Sequence, residues 1–273
     1  MTEKTRIDVY LYEKGLANSR SHASSIVMAG NVYVNNQKAL KPGMTVTDND
    51  LIDVRGPSCK YVSRGGLKLE KALEIFNISV KDKICLDIGA STGGFTDCML
   101  QNGAKIVYAV DVGYGQLDWK LRNNEKVINL EKTNIRYATK TIIPDEIDFA
   151  SVDVSFISLK LILPVLKLLL SDNGEAVCLI KPQFEAGRKN VGKNGVVREP
   201  EIHLQVINQI KNYIEENEFC LVDLSYSPIK GPKGNIEYLV FIKRKDYSLD
   251  LKEDNFIKNI VDEAHKNLNE RVV

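Results

Sequence analysis

The stretch Asp87-Ile-Gly-Ala-Ser-Thr-Gly-Gly-Phe-Thr96 decides how this chain is read. It follows an apolar run at residues 84–86 and precedes a helical pattern, so its glycines fall where a strand must turn sharply and a ligand can approach bare backbone. That layout is a nucleotide-cofactor cradle. The spacing argues against a dinucleotide, because the glycines after Gly89 are Gly93 and Gly94 rather than a Gly-x-Gly-x-x-Gly series, and an acid, Asp87, precedes the loop. A phosphate-free, positively charged cofactor such as S-adenosylmethionine suits an acidic loop, since its cationic end gains from nearby carboxylates. The next apolar segment, residues 106–110, ends at Asp111, where an acid can accept hydrogen bonds from ribose hydroxyls. The expected cofactor contacts are Asp87, Gly89, Ala90, Ser91, Gly93, Gly94, Phe95, Asp111, Val112 and, from a later strand end, Asp153.

Outward from this loop, apolar strands are expected at about residues 83–88, 106–111, 127–130, 147–152, 176–180, 220–227 and 236–243, separated by helical or loop segments. Such alternation implies an α/β fold, a Rossmann-like sheet of seven mostly parallel strands covered by helices, with ligands beyond the carboxyl ends of the strands. Three of those ends carry reactive groups. The fourth strand runs into Asp153-Val-Ser-Phe156, the fifth into Lys181-Pro-Gln-Phe-Glu185, and Glu237 opens the last strand after the turn Gly231-Pro-Lys-Gly-Asn235. A lysine delivered to the ligand edge and followed at once by Pro182 is expected to be desolvated there, beside Asp153 and a cofactor cation. A fourth group precedes the first strand. Residues 61–76 start a helix packed by Leu67, Leu69, Leu73 and Phe76, and place Arg64 and Lys68 near its beginning.

At 273 residues the chain suits two domains, and its formal net charge of +1 means that nucleic-acid affinity must come from local patches. The five cysteines, Cys59, Cys85, Cys98, Cys178 and Cys220, are odd in number and never spaced Cys-x-x-Cys, which reads as reduced thiols in a cytoplasmic protein. No metal is expected. Neither a secretory leader nor a membrane span is visible: the most apolar stretch, residues 159–170, is too short, contains Lys160 and Lys167, and reads as a buried helix.

Composition divides the chain into a small unit at residues 4–56, a linker and leading helix at 57–80, an alternating α/β domain at 81–245 and an amphipathic C-terminal helix within 246–273. In the small unit, Ile7, Leu11 and Leu16 mark one short helix, and Ser19 is placed to cap a second running to about Ala29. Arg6, Arg20, Lys38 and Lys41 punctuate this unit, and Ser19 and Ser21 flank Arg20 at a helix N-terminus, where backbone donors favour phosphate. A glycine-rich loop between Lys181 and His203 carries Arg188, Lys189, Lys193 and Arg198, a set suited to RNA phosphates.

The order Arg6-Ile-Asp-Val-Tyr-Leu, Ser19-Arg20-Ser21, Gly30-Asn-Val-Tyr-Val-Asn35 and Asp50-Leu-Ile-Asp-Val resembles the RNA-binding module named for the fourth small-subunit ribosomal protein. One departure is that Ser24 and Ser25 stand where that module often carries a basic residue. Further on, Val62-Ser-Arg-Gly-Gly-Leu-Lys, the decapeptide at 87–96, Ala109-Val-Asp-Val-Gly-Tyr-Gly-Gln-Leu, Asp153-Val-Ser-Phe-Ile-Ser-Leu and Lys181-Pro-Gln-Phe-Glu resemble the TlyA proteins, known both as haemolysins and as ribosomal RNA methyltransferases with an FtsJ-like catalytic domain. The resemblance spans about residues 4–245. It implies S-adenosylmethionine as cofactor, ribosomal RNA or ribosomal subunits as partner with cytidine as the modified nucleotide, and a Lys-Asp-Lys-Glu tetrad at Lys68, Asp153, Lys181 and Glu237 for ribose 2'-O-methylation. It also implies RNA contacts from Arg6, Ser19, Arg20, Ser21, Lys38, Lys41, Arg64 and the loop at 188–198. No membrane role is expected, and a monomer is the default state.

Other functions fit parts of the pattern. A non-catalytic RNA-binding or ribosome-assembly factor would keep the fold without needing the four reactive groups. A pore-forming haemolysin would need the missing membrane segments. A base N-methyltransferase would carry an Asn/Asp-Pro-Pro-aromatic stretch where this chain has Asp153-Val-Ser-Phe156.

Overall fold

The computed structural model describes residues 4–17, 19–54, 60–231, 233–244 and 255–269. The expected linker Arg55-Gly56-Pro57-Ser58 and Cys59 lie outside them. The chain divides into two compact units, residues 1–60 and 61–273.

The smaller unit contains β1 (Thr5–Arg6), α1 (Ile7–Glu13), α2 (Arg20–Met28), β2 (Val32–Val34), β3 (Gln37–Lys38), β4 (Thr45–Val46) and β5 (Ile52–Val54). Ser19 caps α2, its hydroxyl accepting from the His22 N–H at 3.1 Å. Ile7, Leu11, Ala23, Val27, Val32 and Val46 are fully buried and form the core. Leu16 does not belong to α1: the helix ends at Glu13, Gly15 takes a positive φ, and Leu16 is 45% exposed. An apolar residue five positions along a helix is off its face, so the turn rather than the hydrophobic pattern decides its fate.

The larger unit begins with α3 (Gly66–Ile75) and continues through β6 (Ile84–Ile88), α4 (Gly94–Gln101), β7 (Ile106–Val110), α5 (Trp119–Arg122), β8 (Val127–Leu130), β9 (Ile147–Val152), α6 (Leu163–Leu169), β10 (Leu170–Ile180), α7 (Pro182–Glu185), α8 (Pro200–Glu216), β11 (Phe219–Tyr226), β12 (Tyr238–Arg244) and α9 (Phe256–Asn269). Seven strands form one sheet in the order β11-β12-β10-β9-β6-β7-β8. β8, β7, β6, β9 and β10 run parallel, and β12 is antiparallel to both β10 and β11. The strand order reverses beside β6, which is where an open α/β sheet leaves a ligand crevice.

Side chains alternate across this sheet. Along β10, Ala176, Cys178 and Ile180 enter one core, with Tyr238 and Val240 of β12, while Val177 and Leu179 enter the other, with Phe149 and Leu239. Helices cover both faces, which is why these strands read as unbroken apolar runs. β10 starts at Leu170, earlier than its apolar run, and its pairing with β9 is irregular between Leu170 and Glu175. The apolar stretch at 159–170 therefore splits into a 3-10 turn at Leu159–Leu161, α6 and the start of β10. Pro164 lies in the first turn of α6, the position where its missing N–H costs nothing. In α9, Val261, Ala264 and Leu268 are buried against the main core. No helix among the described residues is long and apolar enough to cross a membrane.

Phe149 is fully buried at the centre of the sheet. Its replacement by Ala is expected to cost about 3–5 kcal/mol in urea denaturation of the larger unit. Ser19→Ala is expected to cost about 1 kcal/mol, felt in hydrogen exchange of α2 alone.

Candidate active site

The loop after β6 turns at Gly89, whose φ is +86°. A Cβ there would sit 2.5 Å from the backbone carbonyl oxygen of Asp153, so glycine is required both by the turn and by the close approach of the β9 end. Four amides of the loop are already engaged. Gly89 and Ala90 N–H donate to the Val110 carbonyl at 2.9 and 3.1 Å, Ser91 N–H donates to the Asp111 carboxylate at 2.8 Å, and Gly93 N–H donates to the Ala90 carbonyl at 2.7 Å. A pyrophosphate cradle needs such donors free. This loop suits a ligand that does not bring phosphate to them.

Asp87 differs from its expected role. It is fully buried beneath the loop, where its carboxyl accepts from the Thr96 hydroxyl at 2.6 Å and the Ser151 hydroxyl at 3.1 Å. Burial pushes its pKa up to about 7 against the pull of those hydroxyls. It ties β6 to α4 and β9 rather than facing a ligand. Asp111 likewise spends both oxygens on backbone, accepting from Ser91 and from Gly113 N–H at 2.7 Å. The following turn is held by Glu131, which accepts from Gln116 N–H at 2.9 Å and, through both its oxygens, from Arg122 Nη2 at 2.9 and 2.8 Å. Burial alone would raise the Glu131 pKa, but Arg122 and the backbone amides outweigh it and hold it down at about 2. Val112, expected at the cofactor, stands 72% exposed on this rim.

A cleft of about 300 Å³ opens at the carboxyl edge of the sheet. Ser63, Arg64, Gly65 and Lys68 form one wall; Gly89, Ala90, Ser91, Gly94 and Phe95 form the second; Ile229, Lys230 and Gly231 close the third, and Asp153 lies between them. Four expected residues converge here. The Lys68 ammonium donates to Glu237 Oε2 at 2.6 Å and lies 3.5 Å from Asp153 Oδ2, while the Lys181 ammonium pairs with Asp153 Oδ1 and lies 3.1 Å from the Ser155 hydroxyl. Lys68, Lys181 and Glu237 are buried, at 7%, 8% and 1% exposure. Burial alone would lower the Lys68 pKa, yet the carboxylates of Asp153 and Glu237 carry it above the ordinary lysine value. Glu237 immediately precedes β12 rather than opening it, and a Cβ on Gly231 would fall 2.5 Å from Glu237 Oε1, so a larger residue there would have to displace that carboxylate.

Sequence reasoning missed Ser63, Ile229 and Lys230 as lining residues, and Thr96, Ser151 and Ser155 as partners. Ser63, Thr96 and Ser155 lay within quoted segments but were given no role there; Ser151, Ile229 and Lys230 carried no local signal. The expected RNA-contacting residues are all exposed in their own units: Arg6, Ser19, Arg20, Ser21, Lys38 and Lys41 in the smaller, and Arg64, Arg188, Lys189, Lys193 and Arg198 in the larger. Arg6 is also bound, in a two-bond pair with Asp8 at 3.0 and 2.7 Å.

A seven-stranded sheet of this order, with a glycine loop after its first parallel strand and a charged cluster at the strand ends, is a Rossmann-like methyltransferase fold. Residues 61–244 match the family model of FtsJ-like methyltransferases, and residues 5–52 match the S4 domain. The chain is 51% identical to a Bacillus subtilis protein named as an rRNA methyltransferase, YqxC, over 99% of this chain and 97% of that one. It is 42% identical to the 16S/23S rRNA (cytidine-2'-O)-methyltransferase TlyA of Mycobacterium tuberculosis, over 89% of this chain and 91% of that one. A solved structure from Streptococcus thermophilus that carries a hemolysin name superposes with a TM-score of 0.79 at 48% identity, covering 99% of this chain and 98% of that one. The chain thus belongs to the FtsJ-like methyltransferase family, on its TlyA branch.

Asp87 gives a test of the loop's anchor. A carboxyl that holds its proton more tightly when folded than when unfolded costs stability as the pH rises past its ordinary value near 4, and the cost stops growing above about 7. Asp87→Asn removes the titration and keeps the shape. The melting temperature of the variant relative to the wild type is expected to rise between about pH 5 and pH 8 by scanning calorimetry; a constant difference would show that Asp87 does not titrate in that window.

Proposed function

We propose that this protein transfers the methyl group of S-adenosylmethionine to the ribose 2'-hydroxyl of a cytidine in ribosomal RNA. The observation that carries this reading is the buried cluster in which the Asp153 carboxylate lies between the ammonium groups of Lys68 and Lys181, with Glu237 on the far side of Lys68. The names of the relatives supply the nucleotide and the RNA; the cluster supplies a reason for a hydroxyl acceptor.

A ribose hydroxyl is a poor nucleophile at neutral pH and gains from a cation beside the oxygen as its proton leaves. Lys181 is suited to that place: its ammonium is held by Asp153 and Ser155 at the end of β10, with little freedom to move. Lys68 and Glu237 complete a set with two positive and two negative charges, which keeps both lysines inside without a net buried charge. Asp153, from the same set, lies on the cleft where a sulfonium would gain from a carboxylate.

S-Adenosylmethionine fits the cleft because the loop asks for no phosphate and the glycine walls leave its floor open to Asp153. Gly89, Ala90, Ser91, Gly94 and Phe95 would hold it, with Val112 and Asp111 at the rim. When bound it supplies an electrophilic methyl group that needs only in-line attack. The exposed basic residues of the S4-type unit and of the loop at 188–198 suit an RNA backbone, with the target nucleotide extruded from its stack to reach the cleft. Ribosomal RNA would be reached in the cytoplasm, where cysteines stay reduced.

Lys181→Ala is expected to abolish methyl transfer to ribosomal RNA while cofactor affinity, measured by calorimetry, stays within about twofold of wild type. Retained turnover would remove Lys181 from the reaction. Mass mapping of ribose methylation in rRNA from cells with and without the protein is expected to show one or more cytidines that lose a 2'-O-methyl group; unchanged maps would overturn the function.

A further inference from the structure

A second cavity, of about 400 Å³, lies beside the cleft and shares Lys230 with it. Its walls come from two loops, Val196, Val197 and Arg198 after α7 and Lys230, Lys233, Gly234 and Ile236 before β12, with His265 of α9 at one side. The loops are clipped together by Asn235, which is buried: its amide donates to the Gly195 carbonyl at 2.9 Å, and its oxygen accepts from Val197 N–H at 3.0 Å. His203, fully buried behind them, lies 3.1 Å from the Val197 carbonyl through Nε2 and 2.7 Å from the Tyr238 hydroxyl through Nδ1, and His265 Nε2 lies 3.2 Å from the same Nδ1. The cavity is therefore a formed feature of the fold and not a gap between loose loops.

Its charge is one-sided. Arg198 and Lys233 line it, and among the described residues neither has a carboxylate within ion-pair distance, whereas Lys68 and Lys181 next door are each paired. Lys233 reaches across from its own turn to the opposite loop, where a Cβ on Gly195 would lie 3.6 Å from its ammonium. Of the neighbouring acids, Glu199 accepts from the Arg198 backbone N–H at 3.3 Å, and Asp262 and Glu201 act on His265; all three are exposed to solvent. Two unneutralised cations converging on a preformed hollow, one residue from the reaction cleft, recognise an anion.

We infer that this cavity holds the phosphodiester next to the ribose that enters the cleft, with Arg198 and Lys233 as its ligands. The inference rests on the reading of the protein as an RNA methyltransferase. In that setting the substrate must bring a phosphate on each side of the reacting ribose, and the shared wall at Lys230 places this cavity next to the charged cluster. A cofactor carboxylate or free phosphate would present similar chemistry, and the experiment separates them.

Lys233→Gln and the double variant Arg198→Gln/Lys233→Gln, in the full chain, are compared with wild type for binding of an rRNA fragment at several salt concentrations, for S-adenosylmethionine affinity and for competition by inorganic phosphate. The salt slope of RNA binding is expected to shrink by about 0.7 for the double variant, which frees one phosphodiester, and by part of that for the single variant, with cofactor affinity unchanged. An unchanged slope overturns the inference, as does a loss of cofactor affinity, which would give the cavity to the cofactor, or a loss of phosphate competition alone, which would give it to a free anion. Should the double variant fail to fold, Lys233→Gln decides alone, since its side chain is exposed. Methyl transfer by the wild type is measured on the same fragment, so failure of the enzymatic function is read separately from failure of the binding site.

Discussion

Burying a lysine ammonium beside an apolar sheet is costly unless its charge is met there by a carboxylate. Lys68 and Lys181 meet that condition through Asp153, which lies between them, and through Glu237, which takes the remaining face of Lys68. The four groups come from the start of α3, the end of β9, the end of β10 and the residue before β12. Each of those elements must therefore be in register for the others to be tolerated. Removing one carboxylate would leave a buried cation without its partner, so the cluster constrains the fold as well as the chemistry.

The same economy of polar groups governs the glycine loop. Four of its amides are turned inward, onto Val110, Asp111 and Ala90, and the acid that precedes it is turned inward too, onto Thr96 and Ser151. The loop thus offers shape and a close approach to the Asp153 carbonyl rather than an anion cradle. This separates it physically from a dinucleotide-binding turn, although both follow the first strand of a parallel sheet. What remains open to a ligand is a cleft with a carboxylate at its base and cations on two walls.

Much of this was legible in the residues. Apolar runs located all seven strands of the large sheet, because strands buried on both faces leave no polar alternation to confuse them. The strand ends carrying Asp153, Lys181 and Glu237 followed directly. Less legible were features set by contacts remote in the chain. An acid before a glycine-rich loop reads alike whether it faces solvent or core, so Asp87 was expected at the ligand. The early start of β10 was hidden by the polar residues Ser171, Asp172 and Asn173, and Leu16 joined an apolar pattern that the chain abandons at Gly15. Lys230 and Lys233 carried no periodic or motif signal, since nothing local says that a turn lies beside a cavity.

By itself, then, the sequence determined the order and type of the elements, the place of the glycine loop and the chemical kinds of the groups at the strand ends. These are local properties, set by side-chain periodicity, by backbone freedom at glycine and by where apolar runs stop. Only the tertiary structure decided which charges meet. Lys68 and Glu237 are 169 residues apart in the chain and 2.6 Å apart in space. Pairing of that kind depends on strand order and register, which no window of neighbouring residues contains.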